Sequence, residues 1–258
     1  MLDDASHFSM VGFDLDVRDP AAFTRDLAPF VRTCQPREFA PNEVLCRVKD
    51  PSGGELLISL HKTGRGGAEM VTVNPAFDGE GRATVTIDGD VSDPEWKTFE
   101  RAYSAHFEAY DTPVVFELSD PEQASLAKPG QKVTVEIAAF SFDLKVFPDA
   151  AAFQRDQKDK PVQWSDAFFV PSGMFNPDAG GAAKADRPTP YADFAGTVIK
   201  SELRTNVAGG GRFWWALVSG FEGATFDVVI DPDQIDGPVK TGAVLTGRFW
   251  LTARIVQP

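Results

Sequence analysis

The sequence predicts a mainly β protein with a few helices, an α+β chain of two tandem, internally duplicated units, each a barrel or sandwich with a loosely OB-like closing arrangement. Three observations carry this. Phe13-Asp14-Leu15-Asp16-Val17, leading to Ala22-Phe23-Thr24-Arg25-Asp26, nearly recurs 129 residues later as Phe142-Asp143-Leu144-Lys145-Val146, leading to Ala152-Phe153-Gln154-Arg155-Asp156. Phe116-Glu117-Leu118-Ser119-Asp120-Pro121-Glu122-Gln123, followed by Lys128-Pro129-Gly130, is matched by Val228-Val229-Ile230-Asp231-Pro232-Asp233-Gln234, followed by Lys240-Thr241-Gly242. Between these landmarks the apolar residues fall in short runs cut by Gly, Pro and Asp, the pattern of strands and turns. A spacing above 100 residues is too long for a solenoid, whose repeats run roughly 20 to 50 residues.

In chain order, a first strand is expected over about Met10 to Val17. Asp19 and Pro20 sit at N-cap and N1 positions, and Phe23, Leu27, Phe30 and Val31 make one apolar helical stripe ending near Thr33. A β-meander follows, with runs Val44 to Val48, Leu56 to Leu60, Met70 to Val73 and Ala83 to Ile87. Trp96, Phe99, Tyr103, Phe107 and Tyr110 fit a helix opened by the capping box Ser92-x-x-Glu95, although Phe99, Tyr103, Ala105 and Phe107 also share one face of a strand. Val133, Val135 and Ile137 alternate in one phase and Phe140, Phe142, Leu144 and Val146 in the other. That places a bend or bulge at Ala138-Ala139 in one long strand. The first unit is therefore 1–138 and the second 139–258, joined rigidly. In the second unit a shorter helix starts after Asp149, Pro171 to Pro190 is a long loop, and strands cover Ala167 to Val170, Thr197 to Leu203, Arg212 to Val218, Thr225 to Ile230 and Val244 to Val256.

Composition narrows the class. No apolar stretch is long enough to cross a membrane as a helix, and Met1 to His7 is acidic where a secretory leader is basic, so a soluble cytoplasmic protein is expected. Cys34 and Cys46 are too few for a disulfide scaffold and are expected to be reduced and partly buried. The net charge of −13 is uneven, −11 over residues 1–129 and −2 over 130–258. A protein this acidic repels phosphate backbones, which argues against nucleic acid as a partner.

Signals of chemistry are few. His7, His61 and His106 are scattered with no metal-ligand spacing, and no cofactor motif is present. Gly64-Arg65-Gly66-Gly67 and Gly209-Gly210-Gly211 read as hairpin turns rather than phosphate loops. Asp88, Asp90, Asp93 and Glu95 read as solvated turn charges, because a calcium loop needs Gly at its sixth position and Glu at its twelfth. The aromatics stand out: Phe213-Trp214-Trp215 and Phe249-Trp250 place rings on both faces of their strands, where a half-exposed sheet would alternate with polar residues. One face fills a core. The other packs on a helix, the other repeat, a second chain or a ligand, which makes Trp214, Trp250, Phe213 and Phe249 the candidate binding residues and allows self-association through these strands. The leading expectation is a non-catalytic module that binds a small molecule or a protein near the repeat interface, without cofactor or metal. The competing expectations are an enzyme using Asp14 and Asp143 as an acid–base pair, and an acidic inhibitor that neutralises a basic partner.

Overall fold

The computed structural model describes residues 7–64, 66–95, 98–108, 111–172 and 188–256. The chain is mainly β and forms two sheets, of four and nine strands. The first, antiparallel and in chain order, contains β1 (Pro36–Ala40), β2 (Glu43–Lys49), β3 (Gly54–Thr63) and β4 (Gly67–Phe77). The second contains β5 (Ala83–Asp90), β6 (Arg101–Phe107), β7 (Thr112–Leu118), β8 (Lys132–Phe147), β9 (Phe169–Pro171), β10 (Tyr191–Thr205), β11 (Arg212–Ser219), β12 (Thr225–Ile230) and β13 (Val244–Val256). Helix α1 (Pro20–Thr33) precedes the first sheet and α2 (Ala150–Gln157) follows β8.

The pairings of the large sheet run in two cycles. In one, β5, β6 and β7 are antiparallel neighbours, β7 pairs parallel with β13, and β8 pairs with both β13 and β5. In the other, β10, β11 and β12 are antiparallel neighbours, β12 pairs parallel with β8, and β13 pairs with both β8 and β10. The antiparallel pair β8–β13 belongs to both. One core runs through both cycles, with Val135, Ile137, Ala139, Phe116, Phe194, Phe226, Phe249 and Leu251 among its fully buried members.

Local chemistry sets the ends of the elements. Asp19 Oδ1 accepts from the N–H groups of Ala21 and Ala22 at 2.9 and 3.2 Å, and Asp149 Oδ1 from Ala152 at 2.7 Å, so both helices start on an aspartate N-cap. After β7, Asp120 caps a 3-10 turn by accepting from Glu122 N; after β12, Asp231 does the same from Asp233 N. The following turns also correspond. Gly130 and Gly242 take φ of 77° and 85°, and their N–H groups donate to Ile87 and Val198 carbonyls at 2.7 and 2.8 Å.

Several expectations need correction. Residues 10–17 form no strand: Ser9–Val11 is a 3-10 turn, Gly12 reverses the chain at φ 76°, and Phe13 makes a single bridge to Gly210. The turn at Gly12 takes the chain out of extended geometry, and Met10, Val11, Phe13 and Leu15 are buried without a neighbouring strand to pair with beyond that bridge. Residues 101–107 are strand, not helix. The alternation Tyr103, Ala105, Phe107 points into the core while β5 and β7 pair on either side, and that non-local pairing overrides the helical spacing; Trp96 and Tyr110 lie outside the described residues. The bulge in β8 lies at Phe142, because Phe249 pairs with Ser141 and Arg248 with Asp143. Around Ala138 the register with β13 runs unbroken. Both faces are buried there, Ile137 and Ala139 in the main core, Ala138 and Phe140 in a second core, and the change of face mimics a change of phase. Lastly, Cys34 at the α1 C-cap and Cys46 in β2 form a disulfide, with Cα atoms 5.7 Å apart. The two cysteines are therefore paired rather than reduced as expected.

The second core is the layer between the large sheet and its cover. The cover consists of the four-stranded sheet (Cys46, Leu56, Ile58, Phe77), α1 (Leu27, with Phe23 and Phe30) and the segment Phe8 to Leu15. Beneath it lie Phe140, Phe213, Trp215, Val229 and Trp250. The linker Asp78 to Arg82 holds the two sheets together. Gly81 N and Glu80 N donate to Asp227 at 2.7 and 3.0 Å, and Gly79 N donates to Glu136 at 2.7 Å. A Cβ on Gly79 would come within 2.3 Å of the Asp227 carboxyl, so only glycine allows this approach. Asp227 is fully buried and also accepts from Trp215 Nε1 at 2.8 Å.

Two stability effects follow. Asp227→Ala strands the N–H donors of Gly81, Glu80 and Trp215, two of them buried, and urea unfolding is expected to show a loss of about 3–5 kcal/mol. Reduction of the Cys34–Cys46 disulfide frees the end of α1 and is expected to cost about 2–4 kcal/mol in the same assay, an effect absent from a Cys34→Ser, Cys46→Ser double variant.

Candidate binding surface on the shared strands

The outer face of β10, β13 and β8 lies between two covers. Side chains alternate along a strand, so Val244, Thr246, Arg248 and Trp250 of β13 face outward while Leu245, Phe249 and Leu251 face the core. At one end α2 covers this face: Phe153 packs with Phe147, Ala195 and Val244, and Trp164 stacks on Phe168 with ring centroids 4.8 Å apart. At the other end the four-stranded sheet and the Phe8 to Leu15 segment cover Trp250 and Phe140.

Between the covers the strands present a charged row. Asp193 of β10 and Asp143 of β8 flank Arg248 of β13 in register, and Arg248 Nε lies 3.5 Å from Asp193 Oδ1. Burial raises the Asp193 carboxyl above its ordinary value; Arg248 opposes the shift and Asp143 reinforces it. Beside this row a groove of ≈ 230 Å³ is lined by Asp143, Lys145, Lys160, Gln157, Trp164 and Phe168. It combines a ring wall with groups of both charge signs.

At the far end lies a small cavity of ≈ 20 Å³, room for about one water molecule. Glu117, Trp250, Thr252, Ser59 and Asn74 line it. Glu117 is held on β7 beside Thr252, and its Oε2 accepts from Trp250 Nε1 at 3.1 Å. Burial, aided by the nearby Glu100, pushes its carboxyl up to about 7, while the Trp250 bond pulls the other way.

The residues singled out from sequence are distributed as follows. Phe213 and Phe249 are fully buried, Phe213 under the cover and Phe249 in the main core, so packing accounts for both. Trp214 is half-buried against the main core, and Trp250, 8 % exposed, joins the cover to Glu117. Asp14 and Asp143 are both exposed but on different elements: Asp14 N reaches Gly209 O, whereas Asp143 sits across from Arg248. No described hydrogen bond or cavity joins them, and the carboxylate that faces Asp143 across β13 is Asp193, with Arg248 between the two. Of the histidines, His61 pairs with Glu43 at 2.8 Å and His106 with Asp88 at 2.7 Å. In the acidic turn, Asp90 and Asp93 accept from the N–H groups of Ser92 and Glu95. Among the described residues no group of three or more potential ligands is placed to hold a metal.

Sequence reading missed Glu117, His7, Trp164 and Asp193. Glu117 did leave a signal, an acid inside the apolar run Val114-Val115-Phe116-Glu117-Leu118, as Asp227 does in Phe226-Asp227-Val228. A charge in a two-sided apolar strand marks a buried partner or a cavity. Asp193 and Arg248 meet only through register.

Glu117 makes stability depend on pH. Its folded value of about 7 lies above its unfolded 4.5, so the folded chain keeps a proton that the unfolded chain releases in between. The contribution is full below pH 4.5 and is lost as pH rises through about 7. Urea unfolding is expected to show wild type losing about 3 kcal/mol relative to Glu117→Gln between acid and neutral pH; parallel curves for the two proteins would contradict the assignment.

Comparison with known proteins finds no matching family model and no matching curated protein.

Proposed function

We propose that this chain is a non-catalytic binding module, made from two copies of one five-stranded, loosely OB-like barrel unit fused through β8–β13, and that it takes a small polar ligand or a protein segment on the outer face of the shared strands. The duplication is supported by matched register. Glu117 pairs with Thr252 where β7 meets β13, and Val229 pairs with Phe140 where β12 meets β8; each residue of the second set lies 112 positions from its counterpart in the first. Side-chain roles match as well. Gln123 bonds the backbone of Ile255 in β13 through both its amide atoms, and Gln234 engages Ser141 of β8 through both of its own. The OB-like description is an analogy of topology and carries no function by itself.

One observation carries the functional reading: the two covers stop short of each other. They leave the row Asp193, Arg248, Asp143 and Lys145 open beside the Trp164–Phe168 wall. A flat ligand face stacks on the rings while its polar edge meets groups of both signs, the usual division of labour in a ligand site. The second reading, an acid–base enzyme, moves from Asp14–Asp143 to Asp143–Asp193, and the raised Asp193 carboxyl favours it.

A thermal-shift screen of sugars, nucleobases, amino acids and short basic peptides tests both. A ligand present at about 100 times its Kd is expected to raise the Tm of wild type by about 5–10 °C, and the shift should disappear in Trp164→Ala and Arg248→Ala. A shift unchanged in both variants would move the site elsewhere. Product formed by wild type and lost in Asp193→Asn would replace the binding reading with the enzymatic one.

A further inference from the structure

We propose that the cluster of rings around His7 is a receptor site for a quaternary or trimethylated ammonium group, occupied in this structure by the chain's own imidazole. The His7 ring lies 4.6 Å from Phe142, 5.2 Å from Trp250 and 6.1 Å from Phe140, centroid to centroid. Phe140 and Trp250 are 5.0 Å apart, and Tyr191, partly exposed, closes against Phe142 at 5.4 Å. Aromatic faces attract cations, tryptophan most strongly. Behind Trp250 stands Glu117, whose Oε2 accepts the indole N–H at 3.1 Å and fixes the ring that faces the box. The whole chain carries −13, which favours the approach of a cation.

The present occupant fits poorly. Burial holds His7 neutral, its pKa lowered to about 4, and its Nε2 is buried without a hydrogen-bond partner among the described residues. An imidazole in this position has given up a water bond and received none. Among the described groups that contact it, the rings of Phe140, Phe142 and Trp250 offer faces rather than acceptors. A primary ammonium would suffer the same loss as the imidazole. A trimethylammonium group has no N–H to satisfy and presents methyl surface that carries the charge, so it matches a box of rings where an imidazole does not. His7 can leave without unravelling its segment, because Phe8, Met10, Val11 and Phe13 are buried anchors of their own.

This site is separate from the Trp164 groove, and the two can fail independently. The test is a calorimetric titration of the full chain with choline, with its neutral isostere 3,3-dimethylbutanol and with a peptide bearing trimethyl-lysine. His7→Ala is expected to bind choline or the peptide at least ten-fold more tightly than wild type does, and to bind the isostere at least ten-fold more weakly than choline. His7→Ala combined with Trp250→Leu is expected to lose that gain. Tighter binding of choline than of the peptide identifies a free small cation as the ligand, and the reverse identifies a modified side chain. Equal affinity for choline and the isostere would reduce the site to an apolar hole and overturn the proposal, as would no binding by a His7→Ala variant that melts like wild type. Should that variant not fold, the His7 imidazole NMR signals of wild type serve instead: they are expected to move toward solvent-exposed values as choline is added, and unmoved signals at saturating choline overturn the proposal.

Discussion

The antiparallel pair β8–β13 is the constraint on which the rest of the structure depends. Each strand serves two cycles. The first part of β8 pairs with β5 and its middle with β12, while the first part of β13 pairs with β10 and its end with β7. A buried backbone donor or acceptor without a partner costs about as much as a lost hydrogen bond, so neither cycle closes unless the other half of the chain supplies a strand. The residues from Glu136 to Ser141 are consequently buried on both faces. This is why the join between the halves reads as a continuous apolar run rather than a linker.

Buried charge then decides where the second layer sits. Asp227 and Glu136 receive the linker from β4 to β5 through its backbone N–H groups, and Glu55 of β3 meets Arg254 of β13 at 2.9 Å. Arg254 also reaches Asp78, and Arg47 joins Asp120 at 2.7 Å. Burying such groups costs desolvation that pairing only partly returns, so their contribution is best understood as specificity of placement. An apolar interface alone would let the four-stranded sheet slide over Phe213, Trp215 and Trp250. The charged contacts hold it at one edge, and the strip between this cover and α2 stays open as a result.

The candidate sites are consequences of that placement. The groove by Trp164 exists because α2 is short and ends before it can cover Lys145 and Thr246. The ring box exists because the Phe8 to Leu15 segment runs over the Trp250 end of the same face and delivers His7 there. Glu117 is perturbed because the first sheet seals its cavity from above. The candidate surface and a pH-sensitive seam thus arise from one packing decision.

By itself the sequence determined what short-range chemistry controls. Asp19-Pro20 and Asp149 start helices because a side-chain oxygen three residues away can meet free N–H groups. Asp120-Pro121, Asp231-Pro232, Gly130 and Gly242 make turns for equally local reasons, and most strand runs were legible from alternation within a few residues. Only the tertiary structure decided matters that rest on contacts between separate elements. Residues 101–107 became a strand because β5 and β7 flank them, and the bulge settled at Phe142 because β13 set the register. Cys34 met Cys46 because α1 folds back on β2, and Asp143 found Asp193 rather than Asp14 because β13 lies between their strands. Alternation announces that a residue faces inward. Which core it enters, and what waits there, depends on pairings between strands more than a hundred residues apart, which no local pattern encodes.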